Sequence, residues 1–218
     1  MTQIKFLISI IFALELFGLP SPVLAQTNQT RKQIIVIDPG HGGTDSGAVG
    51  VNGSLEKDIV LKIAKEIVEL NEITFKNHFE IYLTRYKDTL ISLGDRTKLA
   101  RTLKADLFLS LHCNYSDNPN ARGVEVYVSK KQGKYSPESI LLAYALQRDL
   151  KINLGFESRG VKFANFHVLR ETVNELSAIL LEMGFLSQED ENAFLKFKKN
   201  NSIMALLIIE TIYKIRKQ

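Results

Sequence analysis

The feature that most constrains this chain is a short apolar run that breaks into a glycine-rich turn, residues 34–50, IIVIDPGHGGTDSGAVG. Its first four residues are all β-branched and too few for a helix, which is typical of a strand covered on both faces in a parallel sheet. Pro39 and the following glycines cannot extend the strand, because proline lacks an N–H and glycine favours turns. The pattern places His41 at the carboxyl end of a buried strand, where open α/β sheets bind ligands. A loop histidine without a partner is the alternative.

Strand and helix patterns alternate after this turn. Apolar runs predict strands at residues 34–37, 79–83, 106–112, 123–129, 166–169 and 178–183. Apolar spacing predicts helices at residues 54–72, with Ser54 as N-cap, and at 93–103, 137–150, 189–198 and 202–216. The alternating strand at 123–129 is expected near a sheet edge or with one face solvated. We therefore predict an α/β fold: a single domain with a mostly parallel twisted sheet of about six strands and helices on both faces.

The first 25 residues have the pattern of a signal peptide, with Lys5 before an apolar run at residues 6–19 and Ala25 at the cleavage position. An uncleaved anchor is the alternative, but the run is shorter than the ~20 residues that span a bilayer. We predict a signal peptide at residues 1–25, a polar linker at 26–33 and the folded domain at 34–216. The mature protein is then exported, to the periplasm, cell envelope or extracellular space, with no stable membrane span.

Charge and cysteine content narrow the functional classes. The 28 Lys and Arg residues exceed the 24 Asp and Glu residues only slightly and are scattered, so we predict no nucleic-acid partner. The lone Cys113 cannot form an internal disulfide. It adjoins His112, but neighbouring strand residues point to opposite faces, which favours a buried, inert thiol over a ligand or nucleophile.

Four side chains are expected to meet at one edge of a parallel sheet. His41 follows the first strand, His112 ends a central strand, Glu182 ends a late strand, and Glu56 opens the helix after the glycine turn. Two imidazoles and one carboxylate suffice to hold a catalytic Zn²⁺ with one position open, and a remaining carboxylate is suited to act as general base.

Each of these residues also has a structural interpretation. Glu56 is favoured in a first helical turn by the helix dipole, and His112 could be a hydrogen-bonded core histidine. Glu182 is harder to explain structurally, because an unpaired carboxylate in AILLEMGF is costly to bury. His167 is the rival ligand, although a strand histidine usually serves packing.

Several runs together resemble the zinc-dependent N-acetylmuramoyl-L-alanine amidases of the amidase-3 type: DPGHGGTDSGAVG, LEKD, SLHCN, RGVEVYV, VLRET and ILLEMGFLSQEDE, in the family's order. The resemblance implies that His41, Glu56 and His112 bind zinc and that Glu182 is catalytic. It also implies the substrate, the peptidoglycan amide between the lactyl group of muramic acid and L-alanine, and assigns residues 34–216 to the amidase catalytic domain.

Some family members carry a zinc-occluding helix between the second histidine and the GVEVYV strand, which a protein activator displaces. Only residues 113–122 lie there in this chain, so we predict an uninhibited catalytic core, with activation through another surface left open. Two other functions also stay open. One is a different exported zinc hydrolase, such as a peptidase of the peptide stem, and the other is a non-catalytic wall-binding module.

Overall fold

A computed structural model describes residues 31–217, and its centre is one six-stranded sheet. The strands follow the order β2-β1-β3-β6-β4-β5 across the sheet. Their bounds are β1 Ile34–Pro39, β2 Glu80–Leu83, β3 Leu107–Asn114, β4 Val124–Ser129, β5 Ser158–Ala164 and β6 Ser177–Phe185. The first four strands in this order are parallel, whereas β4 and β5 run together in the opposite direction. The predicted mostly parallel sheet is confirmed.

Six helices among the described residues cover both faces of the sheet. They are α1 Glu56–Ile73, α2 Leu93–Thr102, α3 Ser136–Leu154, α4 His167–Arg170, α5 Glu189–Lys196 and α6 Lys198–Arg216. Odd-numbered residues of β1 and β3, such as Ile37 and Leu109, pack with α1, α3 and α6 in the larger core cluster. Even-numbered residues, such as Val36 and Phe108, pack with α2 and α4 in the smaller one. This alternation follows from the two-residue period of a strand.

Three local predictions need correction or qualification. The predicted strand at residues 166–169 is wrong, because His167–Arg170 is a helical turn and the strand precedes it as β5. Ser54 does not cap α1: the N-cap is Leu55, and the Ser54 hydroxyl donates to Asn192 instead. Strand β4 does lie next to the edge strand, but its residues are mostly buried rather than solvated.

Two of the sequence predictions concern the N-terminal residues. The predicted signal peptide at residues 1–25, and residues 26–30 of the predicted linker, lie outside the described residues. None of the helices in residues 31–217 combines the length and apolar character that crossing a membrane requires.

Candidate metal centre and catalytic cleft

His41 is delivered to the sheet edge by a backbone turn that two buried arginines hold in place. The Arg85 Nε donates to the carbonyl oxygen of Pro39 at 2.9 Å, and its Nη2 donates to that of Gly40 at 2.8 Å. The Arg96 Nη2 donates to the carbonyl oxygen of His41 itself at 2.8 Å. His41 has a positive φ of 60°, a region that few non-glycine residues adopt without such support.

Gly40 is required where it stands because the His112 ring packs directly on its backbone. A Cβ at Gly40 would lie 2.3 Å from Cε1 of His112, far closer than atoms can approach. The glycine therefore allows the end of β1 and the imidazole of β3 to come together.

Three side chains form a compact donor cluster at this edge. The Glu56 Oε1 lies 3.1 Å from Nε2 of His41 and 2.9 Å from Nδ1 of His112. One donor atom from each residue lies within 4.8 Å of the others, a grouping that could hold a metal ion. The structure thus brings together His41, Glu56 and His112, the three residues predicted from the sequence as metal ligands. This set of two imidazoles and one carboxylate fits Zn²⁺ with a free coordination position.

Neighbouring groups orient the cluster. The His41 Nδ1 donates to Oδ2 of Asp45 at 2.8 Å, so that in the neutral imidazole the lone pair is on Nε2, the nitrogen that faces the cluster. Glu56 accepts from the backbone N–H of Ala48 at 2.7 Å and from that of Cys113 at 2.9 Å. The carboxylate is therefore fixed at both oxygens before any ion binds.

Electrostatics favour a cation at the cluster. Burial raises the pKa of Glu56, but hydrogen bonds and charges from His112 and His41 outweigh it and bring this pKa to about 2. Burial lowers the pKa of His41, whereas the carboxylates of Glu56 and Asp45 raise it, with a net value of about 9. Without a metal ion, the positive charge beside Glu56 is therefore a proton on the His41 imidazole. A metal cation would have to displace this proton in order to bind.

Glu182 lies directly beside this cluster. It pairs across the sheet with His112 on β3 and with Glu125 on β4, and residues directly opposite each other point to the same face. Burial raises the pKa of Glu182 to about 7, with the charges of Glu56 and Glu125 adding to the effect and His112 opposing it. Its Oε2 is buried without a hydrogen-bond partner among residues 31–217. A carboxyl group in this state is suited to exchange a proton near neutral pH.

A cleft of about 710 Å³ opens over these residues. His41, His112 and Glu182 line it, together with apolar side chains from two sides. Leu90 and Ile91 come from the segment before α2, Leu93 is the first residue of α2, and Phe166 and Val168 come from the start of α4. Leu90 and Leu93 are each more than half exposed, so the rim offers apolar surface to a ligand.

The other candidates fall outside the donor cluster. His167 lines the cleft from α4 but is not one of the three clustered donors. Cys113 is buried in the larger core cluster, and burial first, then the charges of Glu56 and Glu182, raise the pKa of its thiol well above the usual value. The prediction that the Cys113 thiol is buried is confirmed, and its lack of reactivity stays a prediction.

The sequence interpretation missed two acidic residues. Asp45 lies four positions after His41 in the glycine-rich turn, and this proximity was the signal that could have identified it. Glu125 shares the polar face of β4 with Tyr127, which was interpreted as a solvated face. It is instead a buried carboxylate that accepts hydrogen bonds from Tyr127, Lys162 and Arg159.

Comparison with protein families identifies the chain at the family level. Residues 35–214 match the Amidase_3 family, described as N-acetylmuramoyl-L-alanine amidase. The chain belongs to this family. The donor cluster, Glu182 and the cleft all lie within the part of this amidase-family chain that matches.

Characterised relatives of this amidase-family chain are longer proteins. The N-acetylmuramoyl-L-alanine amidase LytC of Bacillus subtilis is 36% identical over 178 residues, which are 82% of this chain and 33% of LytC. The amidase AmiA of Escherichia coli is 38% identical over 147 residues, which are 66% of this chain and 47% of AmiA. The match therefore spans less than half the length of either relative.

Two solved amidase structures share the fold over nearly the whole chain that each contains. AmiC2 of Nostoc punctiforme superposes with a TM-score of 0.77 at 33% identity, covering 86% of this chain and 99% of AmiC2. CwlD of Clostridioides difficile, solved in complex with the GerS lipoprotein, superposes with a TM-score of 0.76 at 27% identity, covering 85% and 98%. The amidase-family chain thus has the α/β fold of the family's catalytic domains.

Proposed function

We propose that this protein is an exported, zinc-dependent N-acetylmuramoyl-L-alanine amidase. It would hydrolyse the peptidoglycan amide that joins the lactyl group of N-acetylmuramic acid to the L-alanine of the peptide stem, in cell-wall remodelling or daughter-cell separation. The observation that carries the proposal is the position of Glu182, which lines the cleft with His41 and His112 and whose buried Oε2 has no hydrogen-bond partner within residues 31–217. Family membership supports the choice of substrate.

His41, Glu56 and His112 would hold the metal ion. When bound, Zn²⁺ would polarise the scissile carbonyl and make a water molecule more acidic. Asp45 keeps the proton of His41 on Nδ1, so that Nε2 stays available as a donor. The two backbone N–H groups on Glu56 hold its carboxylate in position.

Glu182 carries the proton transfers. In its ionised form it takes a proton from the attacking water at Oε2, and the resulting carboxylic acid donates this proton to the amine nitrogen of L-alanine as the C–N bond breaks. A pKa of about 7 for Glu182 suits both steps, because neither form is strongly disfavoured near neutral pH. The apolar rim formed by Leu90, Leu93 and Phe166 would exclude water around the bound amide.

The test is mass spectrometry of the soluble products that the purified protein releases from peptidoglycan, with and without a chelator. Free stem peptides that begin at L-alanine, lost with chelator and restored by Zn²⁺, are the expected result. Cleavage inside the stem would assign a peptidase instead. Folded protein that binds peptidoglycan but releases no product, with or without Zn²⁺, would favour a binding module or a requirement for an activator. The complex of CwlD with GerS supports keeping a protein partner among these outcomes.

A further inference from the structure

Two cations lie beyond Glu182 on β5, the edge strand of the sheet on the side away from the donor cluster. Glu125 of β4 pairs with Glu182 across the sheet. On the adjacent strand β5, the Lys162 Nζ donates to Oε1 of Glu125 at 2.6 Å, and the Arg159 Nε donates to the same oxygen. The catalytic face of the sheet therefore ends in a basic edge, defined here as Arg159 and Lys162.

Neutralising Glu125 does not require both cations. Its other oxygen, Oε2, accepts from the hydroxyl of Tyr127 at 2.6 Å and from the amide of Asn114 at 3.3 Å. Glu125 itself is 3% exposed, whereas the side chains of Arg159 and Lys162 are 34% and 36% exposed. Arg159 and Lys162 thus carry two positive charges beside the single carboxylate that they share, and both cationic side chains reach the surface.

The two cationic groups are held in fixed positions. The Arg159 guanidinium lies 5.1 Å from the centre of the Phe185 ring, and the Lys162 ammonium lies 5.8 Å from that of Tyr127. Tyr127 in turn packs edge-on against Phe166, a residue of the cleft wall. Charges fixed in this way lose less entropy when they bind an anion.

The position of Glu182 sets the direction in which a substrate crosses the site. Under the proposed function, Glu182 returns its proton to the amine nitrogen, so the amine side of the scissile bond must face Glu182. The donor cluster lies on the other side of Glu182, toward β1 and β3, and the basic edge lies beyond it on β5. Two strand spacings, about 10 Å, separate β6 from β5, which about three extended residues can span.

The chemistry of the two substrate halves matches this direction. The lactyl group and its sugar carry no charge, and they would lie against the apolar side formed by Leu90, Ile91 and Leu93. The peptide stem carries carboxylates. We infer that the peptide stem extends over β4 toward β5, and that Lys162 and Arg159 bind a free carboxylate on a stem residue that follows L-alanine. This inference rests on the proposed function and adds a preference for anionic stems.

The experiment compares two soluble muropeptides that differ only in whether one stem carboxyl group is free or amidated. The unmodified protein is expected to cleave the free acid with a kcat/KM about tenfold higher, mainly through a lower KM, as one charge-assisted hydrogen bond allows. Lys162→Gln should reduce this preference to about twofold or less. The remaining cation, Arg159, stays paired with Glu125 and is therefore less available to the stem carboxylate. Lys162→Arg should retain the preference, since the positive charge remains.

The control is Lys214→Gln on α6, where the lysine pairs with Glu210 and α6 packs on the opposite face of the sheet. It should leave the preference unchanged. The inference is overturned if the unmodified protein cleaves both muropeptides equally well, or if Lys162→Gln lowers kcat/KM by the same factor on both. Equal cleavage leaves the proposed function intact, whereas failure to cut the muramoyl–L-alanine bond in either muropeptide or in whole peptidoglycan counts against the proposed function itself.

Discussion

Replacing Glu182 by glutamine should separate zinc binding from amide hydrolysis, because the substitution exchanges only one carboxylate oxygen for an amide nitrogen. Glutamine has nearly the same shape but cannot accept the proton of the attacking water. Glu182→Gln should therefore retain one Zn²⁺ per chain and lower the rate of amide hydrolysis by about a thousandfold, the typical size of a general-base contribution. Zinc content by atomic absorption and product release by mass spectrometry measure the two effects.

Glu157→Gln serves as the control for this substitution. Glu157 is 65% exposed and lies near Arg122, away from the residues that line the cleft. Its variant should hydrolyse at the rate of the unmodified protein. If Glu182→Gln did so as well, Glu182 would lose its proposed role.

His41 makes zinc binding depend on pH. Its pKa of about 9 in the metal-free protein means that the imidazole is protonated at neutral pH, so a metal ion must displace that proton. The apparent association constant for Zn²⁺ should rise by at least tenfold per pH unit between about pH 6 and 8, because the pKa of the second ligand, His112, is raised as well. Competition with a chromophoric chelator at a series of pH values measures this slope.

Asp45→Asn separates the cause from other pH effects. Asp45 is one of the groups that raise the pKa of His41, so His41 should lose its proton at lower pH in the variant. The rise of Zn²⁺ affinity with pH should then level off at a lower pH than in the unmodified protein. An affinity that does not change between about pH 6 and 8 would contradict the assignment of His41 as a ligand.

At the scale of elements, the turn after β1 depends on helix α2 through one buried ion pair. The Arg96 Nη1 lies 2.5 Å from Oδ1 of Asp38, and both side chains are almost fully buried. Arg96→Met leaves the charge of Asp38 buried without its partner and should lower the free energy of unfolding by about 3 kcal/mol. Zn²⁺ affinity should fall as well, because Arg96 also holds the backbone of His41.

Arg101→Met on the same helix is the matched control. The nearest carboxylate oxygen, on Glu175, is 3.9 Å away at the surface, and such pairs contribute little. Its free energy of unfolding should change by less than about 0.5 kcal/mol. Denaturant unfolding of the two variants compares the buried and exposed arginines. Equal decreases in the free energy of unfolding would mean that the ion pair with Asp38 stabilises the fold no more than the surface pair does.

The elements that were predictable from sequence carry a strong apolar period. The β-branched run of β1 and the buried run of β6 could hardly form anything but central strands, and their ends fixed the positions of His41 and Glu182. Because parallel strands bring their carboxyl ends to one edge, the meeting of His41, His112 and Glu182 followed from topology alone.

The elements that were not predictable depend on tertiary contacts. The run FHVL is too short for its period to separate a strand from a helical turn, and β5 contains Gly160 and two basic residues in place of an apolar pattern. The burial of Glu125 likewise depends on cations from β5, a strand more than thirty residues away in sequence. No local pattern around Glu125 indicates partners at that distance.

At the scale of the whole molecule, the donor cluster joins three elements: the turn after β1, the start of α1 and the end of β3. A ligand that binds only the folded state stabilises it, by about 4 kcal/mol at a thousandfold excess over Kd. Removing Zn²⁺ with a chelator should therefore lower Tm by about 10 °C for a domain of this size.

Glu56→Gln provides the comparison for this measurement. The variant loses one donor of the cluster, so its Tm should respond little to either chelator or added Zn²⁺. Differential scanning calorimetry of both proteins records the shifts. A Tm of the unmodified protein that is insensitive to Zn²⁺ would count against metal binding at this cluster.

The loop at residues 115–123 joins β3 to β4. Because β4 runs opposite to β6, the loop starts and ends at the same edge of the sheet. This loop leaves the sheet just beyond His112 and re-enters it just before Glu125, and both of these residues pair with Glu182 across the sheet. Its middle is held against the segment before α5, because the Gln188 side chain donates to the carbonyl oxygens of Pro119 and Ala121. For protein engineering, this loop is a site at which to insert a ligand-responsive segment. Binding of the ligand to that segment could then be used to switch hydrolysis on or off.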